Sequence, residues 1–353
     1  MGKLAVYKYI SLLFLIATII LAIFTFVGLF GGDANPVKST FSAMLVYVLP
    51  LLIIANVVFL LFWIIRRRWH WALIPLITIL CCIPYIGTLY QFGTESKEAN
   101  AKGGLKIATY NVAMFQRETT GFIAQDILSQ MKKQKVDILC LQEYSDKSGD
   151  QINSENYKEY FPYIAVGRQD MIIFSRYPIT KTEKRTFEQT NNSTMWADID
   201  VNGTELRVFN VHLETTGING ALHRAGKAIE AGKKVTENQI LNAVYDNYEI
   251  GMIARAGQAN VVANEMRQSD KPLIVCGDFN DVPYSYVYNT MLGDLVDGFK
   301  ECGHSGYMYT FRGGRKPVRI DYIFHDKSLR GINYYKYDLS YSDHFPIFMK
   351  LEI

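Results

Sequence analysis

KPLIVCGDFNDVP, from Lys271 to Pro283, decides how the rest of this chain is read. Mostly apolar residues run into Gly277, and then Asp278, Asn280 and Asp281 crowd together. Asp, Asn, Gly and a following Pro are ordinary turn residues, so the segment alone fits a simple turn closing a buried strand. What separates that reading from a functional one is whether other strands end in the same way.

They do. LKIATYNV (Leu105–Val112) alternates as a strand and ends near Asn111, and DILCLQEY is a second strand ending in Glu143. Between them FIAQDILSQMKKQKV carries apolar residues at helical spacing. DMIIFSRYPI reads as a strand, and the VNGTE turn predicts a hairpin between MWADIDV and LRVFNVHLE, which holds Asn210 and His212. A long helical stretch over about 220–268 precedes GDFN, and RIDYIFHD and HFPIFMKLEI supply further strands with Asp321 and the pair Asp343–His344. Runs of strands with intervening helices predict an α/β or α+β domain built on packed sheets. If the strand ends converge, they line one pocket with carboxylates, amides and two histidines. Such oxygens suit a hard cation like magnesium, which can polarise a phosphoryl oxygen and help deprotonate a water. Histidines beside it can move protons or stabilise developing charge. Each residue alone is commonplace: a lone Glu143 or Asp321 is solvated or capping, and a lone His212 is a hydrogen-bonded core residue.

The 353 residues have two unlike parts. Up to residue 92 the one acid is Asp33, and the bases are Lys3, Lys8, Lys38 and Arg66–Arg68. Removing these from 37 bases and 34 acids leaves 31 and 33, a formal charge of −2 for the remainder. That remainder lacks the strong positive charge that favours non-specific binding to polyanions. Tyr9–Phe30, Ala43–Ile65 and Trp71–Phe92 each approach the roughly 20 apolar residues a bilayer span needs. Buried core helices are the alternative for the second and third, and Pro75 and Pro84 should kink the third. Lys3, Lys8 and the Arg66–Arg68 loop place those segments in the cytoplasm, and three spans then put the carboxy-terminal part on the outer face. Trp63, Trp69 and Trp71 are expected in the interfacial belt. The expected organisation is a membrane anchor at 1–92, a linker at 93–104 and a catalytic domain at 105–353. No cysteine spacing implies zinc or a disulfide framework, and Cys140 and Cys276 fall in strands expected to be buried.

TYN, LQE, NVHLE, GDFND, RIDYIF and SDHFP, in this order, resemble the endonuclease/exonuclease/phosphatase superfamily, specifically a membrane-anchored, bacterial-type member. The resemblance covers about Leu105–Ile353. It implies a DNase I-like four-layer sandwich, two packed β-sheets flanked by helices, preceded here by three transmembrane helices. It implies Glu143 as the main metal carboxylate with Asn111 and Asp343 near the ion. Asp278 would activate the attacking water, and Asn280 and Asn210 would contact substrate, Asn280 through a phosphate oxygen. His212 and His344 would stabilise the phosphoryl oxygens, and Asp321 would orient His344. The implied cofactor is Mg2+, with Mn2+ as substitute, and the implied location is a bacterial inner membrane with the catalytic domain periplasmic. NVAMFQR departs from the AP-endonuclease pattern, and the inositol 5-phosphatase signatures are absent. About 215–249 reads as an insertion beside His212, with a solvated helical decoration as the plain alternative.

Three activities suit this pattern: a phosphodiesterase on lipid head groups in the manner of neutral sphingomyelinases, a tethered nuclease on DNA or RNA, and a phosphomonoesterase on soluble esters. HRAGKAIEAGKK and FRGGRKPVR are the segments a nuclease would set against phosphates. An inert binding module on the same fold would not keep the full set of site residues.

Overall fold

The structure, a computed structural model, describes residues 3–95, 103–113, 124–144, 157–168, 171–188, 190–232, 234–304, 306–313, 317–339 and 341–353. Residues 96–102 of the expected linker therefore lie outside the described residues. Two compact units are formed, Met1–Thr88 with Val282–Asn289, and Leu89–Asp281 with Thr290–Ile353.

The first unit opens with α1 (Lys3–Phe30) and α2 (Thr40–Ile65). Tyr7–Asp33 and Thr40–Ile65, of 27 and 26 residues, are long and apolar enough to cross a membrane. The expected third span is not one helix. It is α3 (Trp69–Cys81) and α4 (Ile83–Leu89), bent by 46°. Pro84, second in α4, has no N–H to continue the ladder, and Cys82 N turns instead to Ile79 O at 3.0 Å. Trp63, near the end of α2, packs inside the unit. It is fully buried, and its indole N–H donates to Thr18 Oγ1 at 3.0 Å. Asn56 Nδ2 donates to Thr25 Oγ1 at 2.8 Å in the same way. Such interhelical hydrogen bonds fix the register of α1 against α2, which apolar side chains alone would leave loosely specified.

The second unit contains β1 (Tyr90–Gln91), β2 (Leu105–Asn111), α5 (Ala124–Gln134), β3 (Ile138–Gln142), β4 (Tyr163–Val166), β5 (Ile172–Ser175), β6 (Ile179–Thr186), β7 (Ser193–Val201) and β8 (Thr204–His212). After α6 (Ile218–Glu230) and α7 (Glu237–Arg267) come β9 (Leu273–Asp278), α8 (Tyr286–Leu292, shared with the first unit), β10 (Val296–Asp297), α9 (Gly298–Cys302), β11 (Gly306–Tyr307), β12 (Asp321–His325), β13 (Arg330–Lys336) and β14 (Ile347–Glu352). One six-stranded sheet has the order β10-β12-β9-β8-β7-β6 and the other β13-β14-β2-β3-β5-β4. Both are mixed. The parallel pairs are β2–β3 and β8–β9, and each is joined through a helix, as a parallel crossover requires. Asn202 and Gly203, at φ 56° and 95°, make the tight turn of the β7–β8 hairpin.

Strand alternation assigns the layers. Ile107, Ile138, Cys140, Val208, Ile274, Cys276 and Ile323 face one another in the core between the sheets. Ala108, Tyr110, Leu139, Leu141 and Phe174 point to the opposite face of the second sheet, under Ile127, Leu128 and Met131 of α5. Each fully buried aliphatic side chain contributes ~1.5–3 kcal/mol relative to exposure. In α7 the buried residues begin at Gly251 and continue to Met266, so the half before 251, within the expected insertion, extends beyond the packed layer.

Candidate active site

The inward positions of five strands change from apolar to polar as they reach one edge. On β2 the series runs Ile107, Thr109, Asn111, on β8 Val208, Asn210, His212, and on β9 Ile274, Cys276, Asp278. The register aligns these ends: Asp321 faces Asp278 across β12–β9, and Asp278 faces His212 across β9–β8. From the facing sheet, Asn111 pairs with Gln142 across β2–β3, and Glu143 follows. His344 enters from the segment before β14.

Local backbone features fix this edge. Gly277 has φ 134°, and a Cβ there would lie 2.0 Å from Val211 O. The glycine of GDFN thus lets β9 approach β8 closely. Glu143 and Asn280 hold left-handed φ values of 51° and 52°, which for the glutamate is strained and typical of functional positions. Asn280 N donates to Asp278 Oδ1 at 2.8 Å, and its side chain donates to Leu213 O at 2.9 Å.

The side chains converge. Asn111 Nδ2 donates to Glu143 Oε1 and to Asp278 Oδ2, each at 3.0 Å, and its oxygen accepts from Ala113 N. His344 Nδ1 lies 2.9 Å from Asp321 Oδ2, and its Nε2 is 3.6 Å from Asp278 Oδ2. His212 Nε2 is buried without a hydrogen-bond partner among the described residues, 3.7 Å from Glu143 Oε1 and 4.0 Å from Asp278 Oδ2. Burial, then the charge of Asp321, pushes the Asp278 carboxyl up to about 6 despite the nearby histidines. Burial opposes a charged His344, but Asp321 and Asp278 outweigh it and raise that imidazole to about 10.

Asp278, Asp321 and His344 present ligand atoms within 4.8 Å of one another, and Glu143 adds a partly exposed carboxylate at the rim. Hard oxygen donors crowded together without arginine or lysine partners among the described residues, beside an orphaned imidazole nitrogen, fit a divalent cation. Asp343 is half-buried, and among the described residues its side chain accepts a hydrogen bond only from Ser342 Oγ, at 3.4 Å, without touching the other carboxylates.

Asn210 is not brought to the surface of this site. It is fully buried, accepting from Gln142 Nε2 at 2.6 Å and donating to Leu141 O and Ile172 O, and so ties the two sheets together. The expected nuclease segment is also otherwise engaged. Arg312 bonds Leu339 O and Ser342 O, and buried Arg319 grips Asp297; residues 314–316, and Lys233 of the other basic segment, lie outside the described residues. Sequence reasoning missed Ser342 and Thr310. Ser342 Oγ accepts from His344 N and donates to Asn111 O, and Thr310 Oγ1 accepts from Asp321 N. The serine of SDH was visible as a motif letter, whereas nothing marked Thr310.

The chain belongs to the endonuclease/exonuclease/phosphatase family of phosphate-ester hydrolases, whose profile matches residues 108–344. A second profile, described only as a domain of unknown function, matches residues 11–89. An endonuclease/exonuclease/phosphatase family protein from Bacteroides vulgatus is 16% identical over 71% of this chain and 100% of its own, with a TM-score of 0.51. One from Bacteroides thetaiotaomicron is 18% identical over 70% and 95%, with a TM-score of 0.50. Humanized D. rerio TDP2 is 18% identical over 70% and 99%, also at 0.50. These likenesses are of fold. No curated protein matches the sequence.

Proposed function

We propose that the protein is a membrane-anchored, Mg2+-dependent phosphodiesterase that hydrolyses lipid head groups by in-line attack of water, with Mn2+ as a substitute ion. The carrying observation is the sheet edge where Glu143, Asp278, Asp321, His212 and His344 meet with no basic chain but histidine among their partners in the described residues. A cation held by Glu143, with Asn111 beside it and Asp343 near its waters, would neutralise that charge and polarise the phosphoryl group.

The chain's own groups divide the remaining work. Asp278, buried at the sheet edge with its Oδ2 accepting from Asn111 and 3.6 Å from His344 Nε2, is set to position and deprotonate the attacking water. His344 Nε2 and His212 Nε2 would donate to the phosphoryl oxygens as charge develops, and Asn280 would hold another. Asp321 keeps His344 in one tautomer and orientation. The apolar helices would keep the site near lipid, and the −2 charge of the residues after 92 favours a membrane substrate over a polyanionic strand. If the bent α3–α4 pair completes a third crossing, the basic loops place the catalytic unit on the periplasmic face of an inner membrane.

The test is the full-length protein in nanodiscs, with magnesium or EDTA, offered phospholipid and sphingolipid vesicles or plasmid DNA and RNA. Magnesium-dependent head-group release that Asp278→Ala loses is the expected result. Cut nucleic acid with intact lipid would replace this reading with a tethered nuclease, and turnover of soluble monoesters alone with a phosphatase.

A further inference from the structure

No Asp, Glu, Lys or Arg occurs between Arg68 and Glu95. The bent pair α3–α4 falls inside this stretch, and β1 begins at Tyr90, directly after Leu89 closes α4. Whether such a pair crosses a bilayer or turns back within it, backbone beyond the helix has to leave the hydrocarbon, where its N–H and C=O groups find no water. The chain therefore meets the head groups where α4 gives way to β1.

That exit is not a loose tether. Met308 N donates to Leu89 O at 2.8 Å, and Tyr90 pairs with Tyr307 and Gln91 with Gly306 across β1–β11. Further on, Glu95 Oε1 accepts from Asn333 Nδ2 at 3.0 Å. Gly306, at φ 90°, lies against the Tyr90 ring, where a Cβ would be 3.6 Å from the nearest ring carbon. The segment 89–95 is thus bonded to the second unit at both ends, and what it displays is aromatic. Phe92 is 84% exposed, Tyr307 44% and Tyr90 39%, and the Tyr90 and Phe92 ring centres lie 4.6 Å apart. A phenyl ring this open to water forfeits most of the ~1.5–3 kcal/mol that burial would give. The Tyr307 hydroxyl donates to Pro317 O at 2.8 Å while much of the residue stays accessible. Rings with an apolar body and a polar tip are enriched at head-group depth.

We propose that the β1–β11 ribbon is a lipid-contacting surface of the second unit, seating Tyr90, Phe92 and Tyr307 among the head groups of the bilayer. The inference rests on the membrane anchoring proposed above and adds a contact made by the catalytic unit itself. Lipid is the partner because the exposed rings begin one residue after an apolar helix, and the strand register brings Tyr307 beside Tyr90. From the ribbon a line of rings runs inward. Tyr307 stacks on Tyr309 at 5.8 Å between ring centres, and Tyr309 meets Phe345, the residue after His344, at 5.4 Å. The ribbon would thus hold the catalytic edge at a set distance from the lipid surface, where a free linker would let it swing.

The test places the photoreactive residue p-benzoylphenylalanine singly at Phe92 or Tyr307 of the full-length protein, in nanodiscs of phosphatidylcholine and phosphatidylglycerol. Ile83 of α4 serves as the lipid reference. Tyr163 on β4, an exposed tyrosine at the far edge of the second sheet from β13, serves as the solvent reference. After irradiation, lipid adducts are measured by mass spectrometry. Adducts at Phe92 and Tyr307 matching the yield at Ile83, with none at Tyr163, are expected. Adducts at Ile83 without any at Tyr307, or equal yields at Tyr307 and Tyr163, would overturn the ribbon's contact and leave the anchor standing. No adduct at Ile83 would remove the anchor, and this proposal with it.

Discussion

Asp297, Asp281, Asp198 and Asp137 are buried acids of the second unit, and each is held by an arginine: Arg319, Arg255, Arg207 and Arg176. Asp278 and Asp321 are as deeply buried in the same unit, yet their partners are Asn111, His344, His212 and each other's strand. The first set is neutralised by the fold itself. The second is left with negative charge that a proton or a cation must meet. Structural and candidate catalytic carboxylates are thus told apart by what their neighbours leave undone rather than by burial.

Mutations should separate the sets most sharply. Asp278→Asn should lower kcat by about 10^2–10^4-fold and leave denaturant unfolding nearly unchanged. Arg319→Met should do the reverse, costing about 3–5 kcal/mol of stability by stranding Asp297, while the folded fraction keeps its turnover. If Asp278→Asn instead unfolded the protein, the contrast would collapse.

Magnesium gives the next effect. At a hundred times its Kd it should stabilise the wild type by about 2.7 kcal/mol, measured by urea unfolding, and Glu143→Gln should lose that increment. Equal stabilisation of both would move the ion away from Glu143. A third prediction concerns pH in the presence of EDTA. The pKa of His344, raised from 6.5 to about 10, makes its stabilising contribution complete below pH 6.5 and progressively lost as pH climbs through 10. The wild type should therefore lose more thermal stability over that range than His344→Gln, and equal losses would show that Asp321 does not hold the imidazole protonated. The first unit, with its two long apolar helices, offers the smallest effect, a neutral polar pair. Asn56→Leu should cost about 0.6 kcal/mol, read by unfolding in detergent micelles.

Much of the site was legible because polar letters stood where apolar alternation stopped, at Asn111, Glu143, His212, Asp278 and Asp321. What the alternation could not show is the depth at which each sheet ends. Asn210 and His212 share one face of β8, but Asn210 lies one pleat deeper, in a hydrogen-bonded layer with Gln142 and Thr109. Only the facing sheet decides that, and its position depends on residues far away in sequence. Arg312 and Arg319 were misleading for a related reason: their acceptors come from other elements, Leu339 and Ser342 for one and Asp297 for the other. The bend at Pro84, by contrast, follows from local chemistry and was visible as a weak third span.

Asn111 and Asp278 touch although 167 positions separate them, and His344 comes after every strand except β14. A growing chain therefore carries Glu143, His212, Asp278 and Asp321 for some time without the histidine that completes their arrangement. Loop closure over such separations is slow compared with local helix formation. The two long apolar helices at the front of the sequence are complete while the candidate site is still unassembled, so the first unit can form before the residues of that site come together.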